Sequence, residues 1–214
     1  VLSGVAQQAP FLASYINTLM GKPINVSRTG YNELEIIDPK TLNFKLSGSL
    51  HYMVTPNTEA ILAGNWGTGN TVYTGSDRYS LKNMKMGQYK LEFNNKNWFV
   101  RAYTTQEDAG ESFNATVTTR LTNEAWKAST GSTGWYAQYG QAYLNAKLAG
   151  MNDHDAHTAA RKVADVGRPD ASSAQFKRMF DSVRAIPISG GGGLFVDKTD
   201  LYMVEGQYNL SHLT

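Results

Sequence analysis

From Leu42 to Thr55 the chain alternates without a break: Leu42, Phe44, Leu46, Gly48, Leu50, Tyr52 and Val54 on one side, Asn43, Lys45, Ser47, Ser49, His51, Met53 and Thr55 on the other. A period of two is the signature of a strand with unlike faces. Globular strands usually stop near five or six residues, whereas a tilted strand crossing a bilayer needs roughly nine to eleven, and large barrels run longer. An alternation of this length therefore points to the wall of a β-barrel.

The pattern recurs. Pro56-Asn57-Thr58 breaks it and Glu59 to Trp66 resumes extended character; Gly67-Thr68-Gly69-Asn70 and Gly75-Ser76-Asp77 then mark a second, longer reversal. Tyr79, Leu81, Tyr89, Leu91 and Phe93 alternate with polar neighbours, Asn94 to Asn97 turns the chain, and Trp98, Val100 and Ala102 alternate with Phe99, Arg101 and Tyr103. Tyr202, Val204, Gly206, Tyr208 and Leu210 close the series, making about five long antiparallel strands. Tyr52, Phe93, Trp98 and Tyr208 fall near the short connections, where a belt of aromatics at a membrane interface belongs. On the opposite side Lys90, Glu92, Arg101, Glu205 and Gln207 suit a polar lumen, as they would suit the solvated face of a soluble sheet.

Between Asp108 and Gly193 the period changes to that of helices. Tyr136, Tyr139 and Tyr143 mark one helix face, Ala156, Ala159, Ala160 and Val163 a second, and Phe176, Met179, Phe180 and Val183 a third, with Asn152 and Ser172 as N-caps and Gly150 and Gly167 as stops. Gly190 to Gly193 reads as a flexible return to the sheet, and Phe11 to Leu19 as another short helix. Short turns at one end and a long decorated loop at the other form the asymmetry of outer-membrane barrels, which places the helical insertion outside the cell. The expected fold is thus mainly β: an incomplete antiparallel transmembrane barrel segment over residues 1–214, with a partly helical extracellular loop at about 108–193. Five strands are too few to close, so the outer ones are expected to pair with further sequence.

Composition narrows function. A net charge of +2 with scattered Lys and Arg makes no phosphate-binding face, so nucleic acid is not an expected partner. The absence of cysteine removes disulfides, thiolate zinc sites and a cysteine nucleophile. Val1 to Gly21, interrupted by polar residues and Pro10, is a poor spanning helix and carries no signal-peptide pattern; the chain reads as an excised fragment.

Few motifs suggest chemistry. Asp153-His154-Asp155-Ala156-His157 places two histidines three apart, a spacing able to share one metal, but HExxH is absent and an acidic, solvated first helical turn explains it as well. Gly190 to Gly193 is not followed by Gly-Lys-Ser/Thr and precedes a strand, so it aims no helix dipole at a phosphate. No nucleophile elbow or ordered triad signature appears. The expectation is no enzyme, with no catalytic, cofactor or metal site. Ligand-binding residues are left unassigned: Trp135, Tyr136, Tyr139 and Tyr143 suit either stacking on a flat ligand or packing one helix on another.

Gly64 to Asn83 (GNWGTGNTVYTGSDRYSLKN) resembles the barrel of TonB-dependent outer-membrane receptors, particularly the large nutrient-uptake type with a carboxypeptidase-like N-terminal extension. Trp98 to Ser112, Asn123 to Trp126, Val163 to Pro169 and Gly191 to Tyr202 are similar to the same family, so that the resemblance spans most of residues 28–214. It implies a plugged barrel of about twenty-two strands in the bacterial outer membrane, energised through TonB. The implied partners are the remaining barrel, a plug domain absent from these residues, the TonB complex, membrane lipid and a surface lipoprotein. The alternative is a soluble carbohydrate-binding or adhesion module, whose apolar strand faces would need a second layer from this same chain.

Overall fold

The computed structural model describes residues 25–211; the helix expected at Phe11 to Leu19 lies outside them. The described residues form two units, one of 37–118 with 182–211 and one of 25–36 with 119–181.

The first unit is an open antiparallel sheet. Its strands are β1 (Leu42–Thr55), β2 (Thr58–Thr74), β3 (Arg78–Asn95), β4 (Trp98–Asp108), the two-residue β5 (Phe113–Asn114) and β6 (Lys198–Tyr208). Their order is β1-β2-β3-β4-β6, with β5 pairing to β3. β2 and β3 are longer than the sequence suggested. Gly67 to Asn70 does not interrupt β2, because each of Gly67, Thr68 and Gly69 pairs with both neighbouring strands. The register shift falls between Gly69 and Thr71, two residues apart, whose partners Met84 and Leu81 are three apart, so β3 carries the extra residue of a bulge, beside Asn83 with its φ of +56°. The connection expected to be long is therefore the tight Gly75-Ser76-Asp77 turn.

In the stretch Gly190 to Gly193, expected to be flexible, Gly190 and Gly191 are exposed, whereas Gly192 and Gly193 are buried. A 3₁₀ turn at Ile188–Gly190 ends on Gly191 with φ of +85°, a conformation that favours glycine. Gly193 donates its N–H to the Val183 carbonyl at 3.1 Å, and a Cβ there would lie 1.9 Å from Thr118 Oγ1. The chain then bridges antiparallel from Leu194 to Phe113. Glycine is required for close approach at Gly192 and Gly193.

The second unit is helical. α1 (Glu33–Ile36) is a single turn; α2 (Ala115–Trp126) enters the unit, α3 (Trp135–Leu148) and α4 (Asp153–Ala164) pack within it, and α5 (Ala174–Arg184) leaves it. The three expected helix faces correspond to α3, α4 and α5, whereas α1 and α2 have no counterpart in the sequence pattern. Asn152 caps α4 as expected, its side chain accepting from the Asp155 N–H at 3.0 Å. The cap of α5 is Ser173 in place of Ser172, since the Ser173 hydroxyl accepts from the Phe176 N–H at 3.1 Å. Gly150 and Gly167 end their helices at φ of +82° and +79°. Trp135, Tyr139, Tyr143 and Ala146 of α3 meet Ala156, Ala160 and Ala164 of α4, a close approach in which alanines on one helix admit rings from the other.

Candidate functional site

Each strand of the sheet has two sides, and the pairing registers decide which residues share a face. Leu50 aligns with Leu62, Leu62 with Leu91, Leu91 with Ala102 and Ala102 with Val204, giving one apolar row across all five long strands. Adjacent rows on that face carry Tyr52, Ala60, Phe93, Val100 and Gly206, and then Gly48, Gly64, Tyr89, Thr104 and Tyr202. This surface is bare. Leu50 is 68% exposed, Tyr202 72% and Val204 76%, far from the burial that an apolar strand face has inside a globular domain.

Aromatic side chains bound this face at two levels. Tyr52, Phe93, Trp98 and Tyr208 lie toward the Pro56 and Lys96 turns; Phe44, Trp66, Tyr89 and Tyr202 lie toward the other end. Neither line follows a single row. Trp66 aligns with Leu46, one row nearer the short turns than Phe44, and Tyr89 aligns with Gly64, one row further, where Tyr202 also falls through Thr104. A shift of four residues over four strand steps is about 13 Å along the strands against about 19 Å across them, an angle of about 35°. The lower line shifts the same way by one row. Tyr89 also lies over the backbone of Gly64 and Gly87, its ring atoms at 3.4 and 3.1 Å from where their Cβ atoms would be, and so covers strand glycines with aromatic surface.

The opposite face is charged. Glu92, Arg101 and Glu205 stand side by side in one row, with Arg101 bonded to Glu205 and Lys90 paired to Glu92 at 2.9 Å. These include four of the five residues assigned to a polar lumen from sequence; Gln207 lies on the same face, aligned with Phe99. A groove of about 490 Å³ crosses this face, with Gly67 between Lys45 and Met86 and Gly69 between Asn43 and Met84. Nearer the short turns His51 sits between Glu59 (Nδ1 to Oε1, 2.9 Å) and Ser49 (Nε2 to Oγ, 3.2 Å), an alignment not read from sequence. The order of contacts is that of a hydroxyl–imidazole–carboxylate relay. His51 and Ser49 nevertheless stand on an exposed strand surface, where no wall gathers a substrate against the hydroxyl.

The histidine cluster separates. His154 is exposed, while His157 turns inward, shares a hydrogen bond with the Tyr139 hydroxyl and stacks on Tyr143 at 4.5 Å. Lys147 pairs with Asp153 at 2.7 Å, and its hydrogen bond and charge hold that carboxyl below the usual range, while Asp155 accepts from the Asn152 amide. Among the described residues no group of three or more His, Cys, Asp or Glu side chains converges as a metal site. The aromatic group is core: Trp135, Tyr139 and Tyr143 are buried, and only Tyr136 retains partial exposure. Burial pushes the Tyr139 phenol up, against the lowering effect of nearby Arg161. A ligand stacking on these three rings would have to displace α4.

Among the described residues no helix is long and apolar enough to cross a membrane, which leaves crossing by strands untouched. Comparisons with protein families, curated proteins and solved structures returned no match to this chain.

Proposed function

We propose that this chain supplies part of the wall of a TonB-dependent outer-membrane receptor, in which the five long strands span lipid and further strands complete the barrel. The observation that carries the reading is the bare apolar face bounded by two oblique lines of aromatics. The line from Phe44 to Tyr202 inclines by about 35°, in agreement with the strand tilt of roughly 35–45° in outer-membrane barrels, and the line from Tyr52 to Tyr208 inclines the same way by about half as much. On β1 the eight residue steps from Phe44 to Tyr52 measure about 27 Å, or about 22 Å in depth after a tilt of about 35°, close to an apolar band of about 25 Å. The charged row of Glu92, Arg101 and Glu205 then faces the lumen, where water or a plug compensates it.

Transport, and not catalysis, is the function this supports. The wall confines a passage, the lumen charges contact whatever fills it, and the nutrient and any surface lipoprotein are left to loops and to the rest of the protein. The rival, a soluble carbohydrate-binding or adhesion module, needs a cover over Leu50, Val204 and their row, and these residues are exposed. The test is fractionation of the natural full-length protein from its cells, with gel mobility before and after boiling. Recovery in the outer membrane with a heat-dependent mobility shift is the expected result; a soluble, heat-insensitive protein overturns the reading.

A further inference from the structure

The segment from Val26 to Tyr31 has no secondary structure of its own, yet the helical unit engages it residue by residue. Val26 packs against the aromatic core, and the Ser27 carbonyl accepts from Arg161 at 2.8 Å. Arg28 carries the densest set of contacts. The two hydrogens of one guanidinium nitrogen are shared among Glu124, the Lys127 carbonyl and Ser129 Oγ at 3.1, 2.8 and 2.9 Å, and the other nitrogen reaches the Asn123 carbonyl at 3.2 Å. The same group lies 5.7 Å from the ring centre of Trp126 and 5.9 Å from that of Trp135. Its side chain is only 9% exposed.

Recognition continues along the segment. The Thr29 hydroxyl donates to Asp165 at 2.5 Å, and the other oxygen of that carboxylate holds the Trp135 indole N–H at 2.7 Å. Gly30 offers its carbonyl to Arg168, whose guanidinium stacks 3.9 Å above the Tyr31 ring. The Tyr31 hydroxyl reaches the Pro169 carbonyl at 2.9 Å, and its ring packs on Phe176 at 4.6 Å. Partners on the helical side come from residues 123–176, about 95 to 145 positions along the chain, as they would for a peptide bound from outside.

We propose that the helical unit is a receptor for extended, arginine-bearing peptide, and that residues 25–31 fill its groove in cis as an exchangeable strap. The slot between Trp126 and Trp135 selects a guanidinium over an ammonium, because one planar fork satisfies carbonyl, hydroxyl and carboxylate acceptors together while lying against aromatic faces. Asp165 selects a hydroxyl at the next position, and Arg168 with Phe176 an aromatic ring two positions further. The Nε groups of Arg28 and Arg168 are buried without acceptors, so the clasp holds its two guanidinium groups incompletely. The ligand class is an unstructured peptide of the pattern Arg, hydroxyl residue, any residue, aromatic. This inference stands independently of the membrane reading.

The experiment inserts a protease site between Pro39 and Lys40 of the full chain, labels the N-terminal piece, cleaves it in detergent and titrates synthetic peptide of residues 25–31. The expected result is that the cut piece stays bound and that excess peptide releases it. An Arg28→Ala version of the peptide should need roughly thirty-fold more or worse, as expected for an anchor residue. Equal potency of the two peptides, no release at millimolar peptide, or loss of the helical circular-dichroism signal on cleavage would each overturn the proposal.

Discussion

A charge placed at the middle of the apolar face separates a lipid-facing wall from a solvent-facing one. Gly48 is the site of choice, because it lies midway between Phe44 and Tyr52 on β1 and a Cβ added there meets no atom within 4 Å. Four residue steps to either aromatic are about 13 Å along the strand and about 11 Å in depth after a tilt of about 35°, which places Gly48 near the centre of the apolar band. Arginine at that depth costs about 2–4 kcal/mol in barrels that have been titrated this way. That is a fall of about thirty- to a thousandfold in the folding equilibrium. Ser47→Arg on the polar face is the paired control, expected within about 0.5 kcal/mol of wild type because it meets water. The assay is urea unfolding of the full-length protein in lipid vesicles, followed by its heat-dependent gel mobility. Gly48→Leu should fold at least as well as wild type. Equal effects of Gly48→Arg and Ser47→Arg would refute the assignment of faces.

Other expectations concern packing and pH. Gly193→Ala drives a methyl into Thr118, which is buried and donates to the Asn114 carbonyl at 2.6 Å; a loss of about 1–3 kcal/mol should appear as a lower denaturant midpoint. Trp135→Ala should cost about 3–5 kcal/mol in the helical unit, measured by thermal circular dichroism, since it empties the centre of the α3–α4 core. Asn152→Ala removes the α4 cap and should cost about 1 kcal/mol by the same measurement. Although burial alone would raise it, hydrogen bonds from Ser129 and Arg28 hold the Glu124 carboxyl below its ordinary range. A depressed carboxylate stabilises the fold above the unfolded-state value and loses that contribution as pH falls through the folded one, so acid should loosen the Arg28 clasp below about pH 4. Hydrogen exchange at residues 26–31 that does not change between pH 6 and 3, after correction for intrinsic rates, would contradict this.

The strands were legible because alternation is a direct record of two unlike environments. Leu42 to Thr55 could be read residue by residue, and the row from Leu50 to Val204 follows once registers are known. Gly67 to Asn70 has the composition of a turn, but composition carries no record of pairing partners, and a strand held on both sides tolerates glycines that an isolated one would not. Gly190 to Gly193 is the converse case: composition reports conformational freedom, while closeness to Thr118 and Ile186 is tertiary. The tyrosines of α3 had the right spacing for a helix face, but only the alanines opposite them decide that the face is core. The Arg28 clasp left no local pattern at all, since its partners lie about a hundred residues away.

The central claim, that the two faces of the sheet meet lipid and water, is tested most directly by cysteine scanning, since residues 1–214 contain no cysteine and any elsewhere in the full-length protein can be replaced first. Single cysteines from Tyr202 to Gln207 on β6 would be placed in the full-length protein in its membrane and treated with a charged, water-soluble maleimide. The account expects labelling at positions 203, 205 and 207 and protection at 202, 204 and 206, with the pattern reversing for a lipid-dissolved reagent. Uniform labelling of all six positions by the charged reagent would contradict it.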